Sequence, residues 1–223
     1  MKSKLFILCT FLICSNYSYS QIIKSIGLKS GISLSNQSWE NTQFSYDYNF
    51  VTRPGLYEAI TLDFIEKEFW QLSLDLGIYQ SVSKLEVNPF GGNTMEVHPE
   101  FNFKFGFITA SPVLKLKIPI KSFTPYLIIA PRIDYFVSDL GNKGDKYFGF
   151  DINKPSFGFS IGEGVEYKLN KFSLFVEYQF FYSFNYLYDQ PAYYPSYQVI
   201  NDRMKTNSHI LSLGLKYYFK KIE

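Results

Sequence analysis

The chain has 223 residues, 20% of them aromatic, and a formal charge of +2. So even a balance gives no footing for a nucleic-acid partner, and with two cysteines and two histidines there is little thiol or imidazole chemistry. Mean hydropathy is −0.09, too polar for a bundle of membrane helices but expected of a transmembrane barrel, where apolar and polar residues alternate.

The first twenty residues have the layout of a secretory signal: basic Lys2 and Lys4, an apolar stretch from Leu5 to Cys14, then small residues at Ser18 and Ser20. Cleavage after Ser20 is expected, since roughly ten apolar residues fall short of the ~20 that span a bilayer as a helix. A lipoprotein signal at Cys14 is disfavoured by bulky Ile13. Both cysteines, Cys9 and Cys14, lie inside the signal, so the mature chain, residues 21–223, has no disulfide and as many basic as acidic residues.

About eight segments then alternate with a period of two, the signature of strands with one apolar face. Strand one, 23–34, sets Ile26, Leu28, Ile32 and Leu34 against Gly27, Lys29, Gly31 and Ser33. Strand two, 56–64, sets Ile60, Leu62 and Phe64 against Ala59, Thr61 and Asp63, and strand three sets Trp70, Leu72, Leu74, Leu76 and Ile78 against Gln71, Ser73, Asp75 and Gly77. In strand four Phe103, Phe105 and Phe107 are out of phase with Leu114, Leu116 and Ile118, which predicts a β-bulge between Ile108 and Pro112. Strand five sets Leu127, Ile129, Ile133 and Tyr135 against Ala130, Arg132 and Asp134. In strand six Phe157, Phe159, Ile161, Val165 and Tyr167 oppose Ser160, Gly162, Gly164 and Glu166, with Glu163 unexplained on the apolar face. Strand seven sets Leu174, Val176, Tyr178 and Phe180 against Ser173, Glu177 and Gln179, and strand eight sets Leu211, Leu213, Leu215, Tyr217 and Phe219 against Ser212, Gly214 and Lys216.

The connections alternate between long (35–55, 84–100, 138–155, 184–206) and short (66–69, 119–124, 169–171). This is the rhythm of an all-β, eight-stranded antiparallel up-and-down barrel in the outer membrane of a Gram-negative cell, with short periplasmic turns and long external loops. Alternation alone does not say which face meets lipid; a soluble exported barrel carrying an apolar ligand would alternate too. The membrane reading is favoured by Trp70, Tyr126, Tyr167, Phe172, Tyr217 and Phe219, which gather at the predicted periplasmic strand ends as an interfacial girdle. It is favoured also by a polar face of small residues and a balanced charge set: Lys29, Asp63, Asp75, Lys115, Lys117, Arg132, Asp134, Glu166, Glu177 and Lys216. A barrel of about eight strands is just wide enough for such side chains to fill, so no open pore is expected.

Three stretches, Ser111–Lys117, Pro125–Arg132 and Leu211–Phe219, resemble the PorT-like outer-membrane β-barrel group. The resemblance implies a barrel across nearly the whole mature chain, and no particular task.

No catalytic, cofactor-binding or metal-binding residues are expected. His98 lies in a predicted external loop, and Ser208 and His209, as strand neighbours, point to opposite faces. Gly91, Gly92, Gly141 and Gly144 precede no helix and read as loop glycines rather than a phosphate cradle. The expected partners are outer-membrane lipid, the barrel-assembly machinery, and an unidentified extracellular or periplasmic protein. That protein would meet the loops 35–55 and 184–206; the tyrosines of the second (Tyr186, Tyr188, Tyr193, Tyr194) suit a membrane-edge aromatic loop more than a binding surface. The expected role is structural or binding, with an accessory part in envelope secretion or assembly as the alternative.

Overall fold

The structure is a computed structural model and describes residues 22–41, 49–86, 101–139, 155–193 and 199–219. The signal segment, His98, the glycines at 91, 92, 141 and 144, and Tyr194 lie outside the described residues. Among the described residues nine strands follow one another: β1 (Ser25–Asn41), β2 (Asn49–Glu66), β3 (Trp70–Glu86), β4 (Phe101–Lys117), β5 (Phe123–Asp139), β6 (Ser156–Leu169), β7 (Phe172–Ser183), β8 (Tyr188–Tyr193) and β9 (Val199–Tyr218). Each pairs antiparallel with its neighbours, and β9 pairs with β1 from Tyr218↔Ser25 to Asp202↔Asn41, so the sheet closes. A closed sheet has no edge and satisfies its own backbone, the condition for crossing lipid with strands.

The wall has eight staves, because β7 and β8 are two parts of one. β7 follows β9 up to Phe181↔Ser208, and β8 resumes at Tyr188↔Met204. Between them the chain leaves the ladder, turns Leu187 into the lumen, and rejoins where the Leu187 amide donates to the Met204 carbonyl at 2.8 Å. Stepping from partner to partner once round the wall returns to β1 about ten residues higher, the stagger that tilts every strand.

Three tight connections join the strands at what we call the turn end. In two of them Lys121 and Asn170 take a left-handed backbone with φ of 53°, which a hairpin of two residues needs and asparagine tolerates. The long connections join strands at the opposite, loop end.

Except at Phe103, Phe105, Phe107 and Tyr126, the faces sort as expected. Leu28, Ile60, Leu76, Leu127, Ile161, Val176 and Leu213 are exposed on the outside, and every one of the ten charged residues assigned to the inside is buried. An apolar band all the way round is far more greasy surface than a water-soluble protein exposes, and it is the transmembrane kind of barrel. Trp70, Tyr167, Phe172 and Phe219 ring it at the turn end, and Tyr135, Phe157 and Phe184 do so towards the loop end. Glu163 faces outward as its parity demands, beside a shallow groove with Leu127, Val165, Val176 and Tyr178; nothing in the structure explains its charge there.

Several expectations are corrected. There is no bulge between Ile108 and Pro112: β3 and β4 stay in one register from Trp70↔Leu116 to Leu85↔Phe101. Phe105 and Phe107 therefore share the lumenal parity of Thr109 and Lys115, and both are buried inside. The phase change in the sequence marks a lumen that becomes apolar near the loop end. Along β4 the register shifts instead opposite Gly106 and Phe107, where Val137 is the extra residue on β5; β2 shifts against β3 between Arg53 and Tyr57 and between Asp63 and Ile65. Tyr126 belongs to no girdle; it points inward, 3% exposed. The strands also run further than their apolar alternation. Asn36 to Asn41 stay in ladder with β9, and β8 and β9 occupy much of 184–206, because backbone pairing persists above the lipid band where side chains have no reason to alternate.

Candidate functional site

The lumen is where the sequence concentrates its charge. Glu177, on β7, is fully buried, and its carboxylate accepts from two ammonium groups: Lys29 of β1 at 2.7 Å and Lys115 of β4 at 2.5 Å. The Tyr126 hydroxyl (2.9 Å) and the Gln179 amide (3.1 Å) donate to it as well. Lys29 also donates to Asp75 of β3 at 2.6 Å, and Thr61 donates to the other oxygen of that carboxylate. Nearer the turn end Lys216 of β9 lies between Asp63 of β2 (3.0 Å) and Glu166 of β6 (3.5 Å). Glu166 accepts from Ser173 and Tyr218, and Asp63 from Ser25. At the rim Glu66 takes Lys117 at 3.0 Å and Lys168 at 3.1 Å. Charges taken out of water are tolerable only when paired and hydrogen-bonded like this.

Two glycines make room for the rings among these charges. Gly214 and Phe175 are register partners, as are Gly164 and Tyr126. A Cβ on Gly214 would lie 2.1 Å from the Phe175 ring, and one on Gly164 would lie 2.6 Å from that of Tyr126. The far end of each ring thus lies over a bare strand, with the Lys115 ammonium 4.6 Å from the Tyr126 centroid and 5.3 Å from that of Phe175.

Further up, the lining changes character. Arg132 pairs with Asp134 at 2.7 Å, donates to Ser183 at 3.1 Å and lies 4.4 Å from the Phe181 centroid, while the Tyr79 hydroxyl donates to Asp134 at 3.0 Å. Above this collar Tyr57, Tyr79, Phe105, Phe107, Phe181, Leu187, Met204 and Ile210 form a buried apolar cluster. Tyr79 stacks on Phe107 at 4.9 Å and meets Phe181 edge-on at 5.8 Å.

The two catalytic suspects are separated as strand geometry requires. Ser208 faces the lumen and bonds Ser35 at 2.8 Å, while His209 faces outward and shares a 2.6 Å hydrogen bond with the Tyr178 hydroxyl. That bond lets both polar groups sit on the outward face. Among the described residues no three histidine, cysteine or carboxylate side chains gather as a metal site. The charged set was legible in the sequence from its parity; the apolar cluster was not, because its aromatic residues read equally well as facing lipid.

An eight-stranded antiparallel barrel, apolar outside, with a lumen filled by paired charges and rings, defines the class: a small transmembrane β-barrel. No protein-family model matches the chain, and no curated protein matches it. Among solved structures it is similar to the outer membrane protein OprG from Pseudomonas aeruginosa, at 12% identity over 87% of this chain and 96% of that one, with a TM-score of 0.56. It also matches Neisserial surface protein A at 15% identity over 87% and 97% of the two chains, with a TM-score of 0.48. The likeness to OprG is one of fold.

Proposed function

We propose that this protein resides in the outer membrane after cleavage near Ser20, with the turn end in the periplasm, and that it serves a structural or binding role at its loop end without conducting solutes. The observation that carries the closed lumen is Glu177, buried between Lys29 and Lys115 with Tyr126 and Gln179 completing its shell. Side chains from β1, β4, β5 and β7 meet there across the tube, where a pore would need water. The location is supported by the apolar band with its aromatic rings, by an even stave count that returns both ends of the chain to one side, and by the secretory layout of residues 1–20.

Lipid around the band and the assembly machinery during insertion follow as partners, and a protein partner would meet the loop end. No catalytic role is proposed. The resemblance to the PorT-like group supports placing the chain there as a barrel. An accessory role in envelope secretion rests on that resemblance alone, and loss of secreted proteins on deletion would be its mark.

The test is fractionation with heat-modifiable gel migration, then planar-bilayer recording of the purified barrel. An outer-membrane protein that shifts on boiling and gives no steady conductance is expected. A soluble, unshifted protein, or a stable ohmic current, would overturn the proposal.

A further inference from the structure

We propose that the outward face of β2, β3 and β4 at the loop end binds an acylated, phosphate-bearing lipid of the outer leaflet; this rests on the orientation given above. The register carries it. Arg53 pairs with Val82, which pairs with Lys104, and Lys84 stands two residues beyond Val82. Lys84 and Lys104 share the outward parity of Ile78 and Ile108. Arg53 has the odd number of lumenal Tyr57, but the register shift between Arg53 and Tyr57 turns it out, and it is exposed. Same-face partners on neighbouring strands stand about 5 Å apart, so three cations converge around one valine.

Directly below them, towards the membrane, lies a groove of about 290 Å³ lined by Leu56, Ile78, Ile108 and Val137 with Gly106 in its floor. Gly106 is two residues from Lys104, so the groove opens under the basic cluster. The acid in its lining, Glu58, is at the inner end, separated from Arg53 by Leu56 along the strand. A phosphate among the cations with an acyl chain running down the groove satisfies both features at once, and basic clusters at a bilayer surface attract anionic headgroups. An outward basic pair on β9 at this end lies apart from that groove: Arg203 binds Asp189 at 3.2 Å, and Arg203 and Lys205 lie 5.2 and 5.0 Å from the Tyr186 ring.

The test uses the full barrel in nanodiscs of neutral phosphatidylcholine doped with diphosphorylated lipid A, measuring by mass spectrometry the lipid A retained after detergent extraction. Arg53→Gln/Lys84→Gln/Lys104→Gln should retain about tenfold less, and Arg203→Gln/Lys205→Gln should match the wild type. Ile108→Trp, which fills the groove and keeps the charges, should also lower retention. Equal retention by the triple variant, or equal loss in the Arg203/Lys205 control, overturns the site; undiminished retention by Ile108→Trp overturns the acyl groove. Heat-modifiable migration of the same samples verifies folding. An outer-membrane barrel that retains no lipid A refutes this site alone, whereas a barrel found in another compartment refutes the orientation beneath it.

Discussion

The two halves of the lumen solve one problem in opposite ways. Towards the turn end the tube is filled by ions, with Lys29, Lys115 and Lys216 interleaved among Asp63, Asp75, Glu166 and Glu177; towards the loop end it is filled by rings and aliphatic side chains around Tyr79, Phe107 and Phe181. Each half is filled by side chains, but they fail differently. Removing one charge strands its partners in a medium without water, whereas removing one ring leaves a gap that neighbours partly close. An ionic filling is therefore brittle and an apolar one graded.

The sharpest test of that contrast is Glu177→Ala, which leaves two buried ammonium groups without their shared acceptor. We expect a loss of about 3 to 5 kcal/mol in urea unfolding from lipid vesicles, and a loss below 1 kcal/mol would break the comparison. Phe181→Ala, in the other half, should cost about 3 kcal/mol and leave the charged half intact. On the outside, Leu74→Arg should cost about 2 to 4 kcal/mol against little for Ser73→Ala next to it; similar tolerance at both would contradict the faces assigned. Gly214→Val, which drives a side chain into the Phe175 ring, should cost about 1 to 3 kcal/mol. The smallest effect has the other sign: Glu163→Leu should gain about 1 kcal/mol in the same titration by removing an acid from the lipid-facing surface.

Reading the sequence recovered the strands through the lipid band because there one face meets hydrocarbon and the other charge, so parity is enforced residue by residue. Lys29, Asp75, Glu166, Glu177 and Lys216 were placed correctly on that ground alone. Parity carries no such information at Phe103, Phe105 and Phe107, since an aromatic ring is at home both in lipid and in an apolar lumen, so the phase change there mimics a bulge that β4 does not have. Tyr126 misled for a related reason: tyrosine suits an interface, and only its partners, Glu177 and the bare strand at Gly164, show that it turns inward. Glu58 faces outward too, in the parity of Leu56 and Ile60. The outer reaches of β1, β8 and β9 were read as loop because polar side chains on both faces erase the period while the backbone ladder continues.

The span of the Glu177 contacts bears on how the tube comes together. Lys29 and Glu177 are 148 residues apart in sequence and Lys115 and Glu177 are 62 apart, so this carboxylate acquires its partners only when the first, fourth and seventh staves have arrived. Non-local contacts of this kind form late and make folding slow. Until then each charge keeps its hydration. Burial of these charges and closure of the seam between the first and last strands are thereby linked, and a chain stalled before that point would keep its charges hydrated and stand open along one side.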